Sequence, residues 1–267
     1  MNYIALDAAD LALAGLLVLA NAGLSLWLQL GLARRMLVAA ARMVVQLSLV
    51  GLVLKALFLA VSPLWTGLAA LAMIAFAGHE VLARQERRFT GWWAYGLGTG
   101  AMLLAAGLVT VFALTTQLRP DPWYHPQYAI PLLGMVLGNT MTGISLGLQS
   151  LTGAVVDRRT AIEAHLALGA TARQAVLPSV RKALTAAAMP IVNAMGTTGL
   201  VSLPGMMTGQ ILGGVDPSQA VKYQILIMFL IAGGTVAGAV AAVVGGAGRL
   251  FDARHRLRLD RLSQGGA

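Results

Sequence analysis

The sequence predicts an all-α protein that crosses a membrane about seven times, and three observations carry that expectation. Of the 267 residues, 58% are hydrophobic and only 11% charged, where a soluble domain carries about 25% charged residues. The apolar residues fall in long charge-poor runs, each close to the ~20 residues that a bilayer-spanning helix requires. The Lys and Arg residues gather in alternate gaps between these runs.

Seven spans are expected at roughly 11–32, 43–61, 64–83, 93–115, 129–151, 183–203 and 220–246. The first follows MNYIALDAAD, which has two acids and no Lys or Arg. It lacks the basic region of a secretory leader and is expected to be retained. Arg34, Arg35 and Arg42 are placed in the connection to span two, and Arg84, Arg87 and Arg88 in the loop after span three. Arg158, Arg159, Arg173, Arg181 and Lys182 follow span five. A basic tail after residue 248 carries Arg249, Arg254, Arg256, Arg258 and Arg261. Only Lys55, Arg119 and Lys222 fall on the other side. The positive-inside rule then puts the N-terminus outside and the C-terminus in the cytoplasm. Residues 1–248 form the transmembrane domain, with a cytoplasmic hairpin at about 157–182, and residues 249–267 form the cytoplasmic tail.

Trp65, Trp92, Trp93, Trp123 and Tyr124 sit at expected span ends, where amphipathic rings favour the headgroup level. RPDPWYHPQ (119–127), with three prolines, reads as an external loop. Inside the spans, Gly96/Gly100, Gly134/Gly138, Gly143/Gly147 and Gly234/Gly238 have the four-residue spacing that lets helices approach closely in lipid. Tight packing within the chain and a dimer seam both fit.

The chain has no cysteine, which excludes disulfides and thiolate metal sites. The net charge of +9 follows topology and forms no continuous face for nucleic acid. No G-x-x-x-x-G-K-[ST] phosphate loop occurs, so the chain is not expected to hydrolyse ATP.

Between spans five and six lies DRRTAIEAHLALGATARQAVLPSVRKA (157–183). Thr160 and Glu163 have capping-box spacing, which starts a helix near Ala161 and runs it through Leu168. Gly169 suits the left-handed residue that stops it. Thr171 and Gln174 repeat the capping spacing and start a second helix back toward the membrane. The hairpin is either a capped interfacial element or a coupling element offered to a cytosolic motor.

Segment 199–214, GLVSLPGMMTGQILGG, is apolar but broken by Pro204 and glycines. It reads as a re-entrant piece, because irregular backbone at membrane depth must be buried or line a cavity; a plain outer turn is the alternative. Met206, Met207 and Gln210 within it are pathway candidates. Asn139, Thr140 and Gln149 in span five, Asn193 in span six and Gln46 in span two are intramembrane polar groups that either bond a neighbouring helix or line a pathway. Glu80, beside His79, is a functional candidate because it ionises within a span; pairing with Arg84 one turn on is its structural alternative. Met135, Met141, Met189, Met195, Met206 and Met207 could ligate a soft metal or fill packing gaps. His79, His125, His165 and His255 are scattered, and no metal ligand set is assigned.

Glu163-Ala164-His165-Leu166-Ala167-Leu168-Gly169 resembles the EAA-xxx-G loop of bacterial ABC importer permeases, with His165 in place of the second alanine. In that resemblance Glu163, Ala164, Leu168, Gly169, Arg173 and Pro178 form the surface that couples to an ATPase. Leu177-Pro178 arrives about four residues early, which argues against a nutrient importer. PLLGMVLGNTMTGISLGLQSL (131–151), NAMGTTGLVSLPGMMTGQILGG (193–214) and DPSQAVKYQILIMFLI (216–231) resemble the FetB-type permease family of iron exporters, to which plant proteins linked to aluminium tolerance are related. The resemblance implies a non-catalytic, multi-pass subunit in a bacterial inner membrane. It pairs with a second copy of itself and a separate cytosolic ATPase that binds ATP and Mg, and exports a metal or metal chelate. An ion-driven carrier or channel without an ATPase, or a membrane scaffold without flux, are the alternatives.

Overall fold

The computed structural model describes residues 7–263; the expectations for the first six residues and the last four of the tail lie outside them. Among the described residues, seven helices are long and apolar enough to cross a membrane. The chain is an all-α, multi-pass membrane protein.

Helix α1 (Ala8–Trp27) is started by Asp7, whose carboxylate accepts from the N–H groups of Ala9 and Asp10 while Asp10 accepts from the N–H of Asp7. This capping box moves the first span earlier than expected. Gln29 and Gly31, at φ 53° and 69°, turn the chain, and α2 (Ala33–Ala60) begins two residues later. Arg34, Arg35 and Arg42 therefore lie in the first turns of α2 and not in a connection. Arginine is a good helix former, and the turn is complete before it.

Helix α3 (Pro63–Ala83) starts on a proline whose missing N–H costs nothing there. Helix α4 (Trp93–Phe112) widens into a π-helical stretch, Ala113–Leu118, and ends at left-handed Arg119. Helix α5 (Pro126–Asp157) is followed by α6 (Arg159–Ala167) and α7 (Ala172–Thr197). Helix α8 (Gly205–Leu212) lies within the expected irregular segment, and α9 (Pro217–Arg249) is capped by Asp216. Spans five and seven are thus longer than their apolar cores. At 1.5 Å per residue α5 and α9 reach nearly 50 Å, against ~30 Å of hydrocarbon, so tilt and protrusion take up the difference.

Helix α5 is the hub, packed against α3, α4, α7 and α9. Its close contacts are made at glycines. A Cβ on Gly143 would stand 2.7 Å from Thr235 Cγ2 and 3.3 Å from the carbonyl oxygen of Ala187. From α9, one on Gly238 would stand 2.6 Å from Thr140 Cγ2. The pairs Gly143/Gly147 and Gly234/Gly238 thus serve packing within the chain. Gly100 and Gly138 face open space.

The chain after α9 is not a free tail. Leu250 is fully buried and Leu257, Leu259 and Leu262 pack on the core. The N–H of Thr90 donates to Arg261 O at 2.8 Å, and that of Ser263 to Arg88 O at 2.7 Å. The Arg261 guanidinium donates to the carbonyls of Arg249 (2.7 Å) and Phe251 (3.1 Å), the first of which the end of α9 leaves unpaired. The Arg249 guanidinium lies 5.2 Å over the Trp93 ring. Residues 250–263 form a clasp joining α9 to the α3–α4 loop.

Candidate functional site

The helical hairpin stands at the arginine-rich end of the bundle. Arg158 follows α5 and serves directly as N-cap of α6, without a side-chain cap. The expected Thr160–Glu163 capping box does not form, because α5 runs on to Asp157 and α6 starts one residue after Arg158. Glu163 instead accepts from Arg159 Nε at 2.8 Å. Both side chains are exposed, so the pair adds little to stability. Gly169, at φ 91°, reverses the chain. Thr171 and Gln174 form the second capping box as expected. Pro178 lies inside α7, so this helix continues unbroken into the sixth span.

Ile162 is buried and Leu166, one turn on, packs against the core. The opposite face presents Glu163, Ala164 and Leu168 to the exterior. Leu168 is 87% exposed. Gly169 and Arg173 are also exposed. A groove of about 530 Å³ separates this face from the clasp, lined by Glu163, Gly169, Arg254, His255 and Arg256 among others. The Ala172 N–H donates to His255 Nδ1 at 3.4 Å, tying the start of α7 to the clasp. Asp252 accepts from the backbone N–H groups of Arg254 and Arg256, each at 2.9 Å, and from Arg256 Nε at 2.8 Å. The Arg256 backbone bond above all, with the Arg256 side chain and Arg254 N–H, lowers the Asp252 pKa from 3.8 to about 2.

Two long helices carry polar residues that this chain leaves exposed or only half-buried. On α5, Asn139 is exposed, and Thr142, Gln149 and Ser150 are half-buried at helical spacing from it. On α7, Thr185, Asn193 and Thr197 are exposed. Asn139 Nδ2 donates to Met135 O at 2.9 Å, so it satisfies itself on its own helix. Thr140 faces the other way. It is fully buried at the α5–α9 seam, and its hydroxyl, like that of Thr235, has no hydrogen-bond partner among the described residues.

The family profile described as an uncharacterised protein family, UPF0014, matches residues 8–251. The chain belongs to the UPF0014 family. It is 41% identical over 233 residues to the UPF0014 membrane protein slr1647 of Synechocystis, covering 85% of this chain and 87% of that one. It is 35% identical over 213 residues to the protein ALUMINUM SENSITIVE 3 of Arabidopsis thaliana, covering 80% and 76%. It is 31% identical over 256 residues to the probable iron export permease protein FetB of Escherichia coli, covering 96% of each. No solved structure matches the chain.

The remaining pathway candidates of this UPF0014 chain do not meet in one site. Met206, Met207 and Gln210 are half-buried on α8, with Met206 against the core. Glu80 is bound by Arg42 of α2 at 2.8 Å, not by Arg84. Arg84 follows α3 as its C-cap, whereas the Arg42-bearing face of α2 lies opposite Glu80. Among the described residues no three His, Asp or Glu side chains converge to hold a metal ion. Sequence reasoning missed the clasp and the buried Thr235 and Gln224. The apolar Phe251, Leu257, Leu259 and Leu262 among the arginines were the available signal for the clasp.

Proposed function

We propose that the chain is the transmembrane subunit of an ABC transporter that exports iron or another metal, bare or chelated, across a bacterial inner membrane. It is not itself an enzyme. A separate cytosolic ATPase binds ATP and Mg and docks on the exposed face of α6 and the neighbouring clasp. Sidedness follows from the arginine-rich end, which the positive-inside rule assigns to the cytoplasm. The single observation that carries the reading is Leu168, an 87% exposed leucine that caps the end of α6, a helix held down by Ile162. Helix-in-groove recognition uses such apolar anchors, and a carrier without a motor leaves this one unexplained. The metal comes from the name of the Escherichia coli relative, a probable iron export permease protein.

The fold supplies a route for the work. One residue, Arg158, joins α6 to α5, and residues 168–171 join it to α7. A pull on α6 therefore moves the two helices with outward polar faces. Polar groups at membrane depth face a bundle interior or water, so a second copy of the chain covers these faces and closes a pathway along them. Asn139 and Asn193 line it.

Sealed vesicles holding the chain with its ATPase test this reading. ATP-dependent iron flux, lost in Glu163→Ala with the protein still inserted, is the expected result. Flux independent of both ATP and Glu163 would overturn it in favour of a carrier or channel.

A further inference from the structure

A second feature lies away from the hairpin, where α2 and α3 splay apart at the arginine-rich end. They enclose an open cavity of about 1020 Å³, at the upper end of the ~300–1,000 Å³ range of small-molecule sites. Arg34, Arg35, Arg42 and Gln46 reach it from α2, and His79, Glu80 and Arg84 from the end of α3. The residues recur at helical spacing on both helices, so each presents one polar stripe to the gap. Glu80 is the sole carboxylate among the lining residues, and it is committed to Arg42 at 2.8 Å. Arg34, Arg35 and Arg84 have no carboxylate within 4.0 Å among the described residues.

We infer that this cavity is a binding site for a phosphate- or carboxylate-bearing anion. Three guanidinium groups without counter-charges repel one another and would repel a bare metal cation. An oxyanion relieves that repulsion and accepts paired N–H bonds from a planar fork, the geometry in which arginine outperforms lysine. The Arg42–Glu80 ion pair bridges α2 and α3 across the gap. Glu80 lies three residues, about 5 Å, before the end of α3, so the site opens at the level of lipid headgroups. Its ligand is either the headgroup of an anionic lipid or a soluble polyanion. The inference stands independently of the transport direction and of the ATPase.

The test uses the full chain in nanodiscs. One arm titrates pyrophosphate and citrate into zwitterionic nanodiscs by calorimetry. The other measures, by native mass spectrometry, how much phosphatidylglycerol the protein retains from a mixed bilayer. Binding in either arm, weakened roughly tenfold or more in Arg34→Gln/Arg35→Gln/Arg84→Gln, supports the site, and the arm that responds identifies the source. The control Lys55→Gln/Arg119→Gln/Lys222→Gln removes equal charge elsewhere and leaves binding unchanged. Glu80→Gln removes the only lining acid and releases Arg42, so binding tightens; this arm decides the matter where the triple variant fails to fold. No binding in either arm, an equal loss in the control, or weaker binding in Glu80→Gln overturns the inference.

Discussion

Helices α1 and α2 differ from α5, α7 and α9 in what they spend their apolar residues on. The first pair buries only Ala22, Ser25, Ala33 and Leu57, and shows Leu13, Leu17, Leu47 and Leu52 to the surroundings. The second group meets through Gly143, Gly147, Gly234 and Gly238, where no side chain fits. In lipid, leucine gains nothing by leaving the bilayer for a protein interior, so packing falls to small residues that bring backbones together. The leucine-rich pair faces lipid and the glycine-rich group forms the frame. Hydrophobicity marks what crosses the membrane, whereas side-chain size marks what holds the bundle together.

Placing a large residue in each region breaks this comparison most sharply. Gly143→Leu is expected to cost about 3 kcal/mol or more by overpacking, because a Cβ there already meets Thr235 and the Ala187 carbonyl. Gly51→Leu on α2, with nothing within 4 Å, should change stability by no more than about 0.5 kcal/mol. Thermal melting in one detergent compares the two; equal losses would refute the division.

The docking face gives the next largest effect. Leu168→Asp should weaken ATPase binding at least about tenfold without lowering the melting temperature, since burying a leucine contributes about 1.5–3 kcal/mol. Leu13→Asp on α1 should instead impair insertion and leave the affinity of the inserted fraction unchanged. Co-purification and melting separate these outcomes.

Arg261→Ala removes two bonds from a charged donor, one to Arg249 at the end of α9 and one to Phe251 within the clasp, a loss of about 1.5–3 kcal/mol. Amide exchange should quicken across 250–263 and remain unchanged in α5. The smallest effect concerns pH. Asp252 has its folded pKa depressed from 3.8 to about 2, so its stabilisation of the clasp is present above pH 3.8 and is lost as pH falls toward 2. Exchange in the clasp should rise across that window in the wild type and show no such step in Asp252→Asn.

The spans were legible because hydropathy is a local property, and Gly169 and Thr171 because caps and turns are local too. The same local logic misplaced the start of α6. Thr160 and Glu163 have the right spacing, but α5 extends to Asp157 and leaves Arg158 as the cap. Partners distant in sequence were not legible. Glu80 has Arg84 one turn away, yet it takes Arg42 from another helix, a choice fixed by how α2 and α3 approach. The clasp was hidden because its arginines read as a basic cytoplasmic tail, whereas its leucines and Arg261 bind it to the core. Of the pathway candidates, Thr140 and Asn139 are adjacent in sequence but occupy a buried seam and an exposed face, a distinction that requires knowing which side of α5 meets α9.

Because the chain has no cysteine, a single Leu168→Cys variant carries one unique cross-linking handle. Labelled at that thiol with a short photoreactive reagent, which inserts into C–H bonds of whatever it touches, and assembled with the co-expressed ATPase, it tests most directly whether α6 receives the motor. An ATPase adduct is expected from Leu168→Cys and none from Leu13→Cys on α1. An assembled complex that cross-links from neither position, or only from α1, would contradict it.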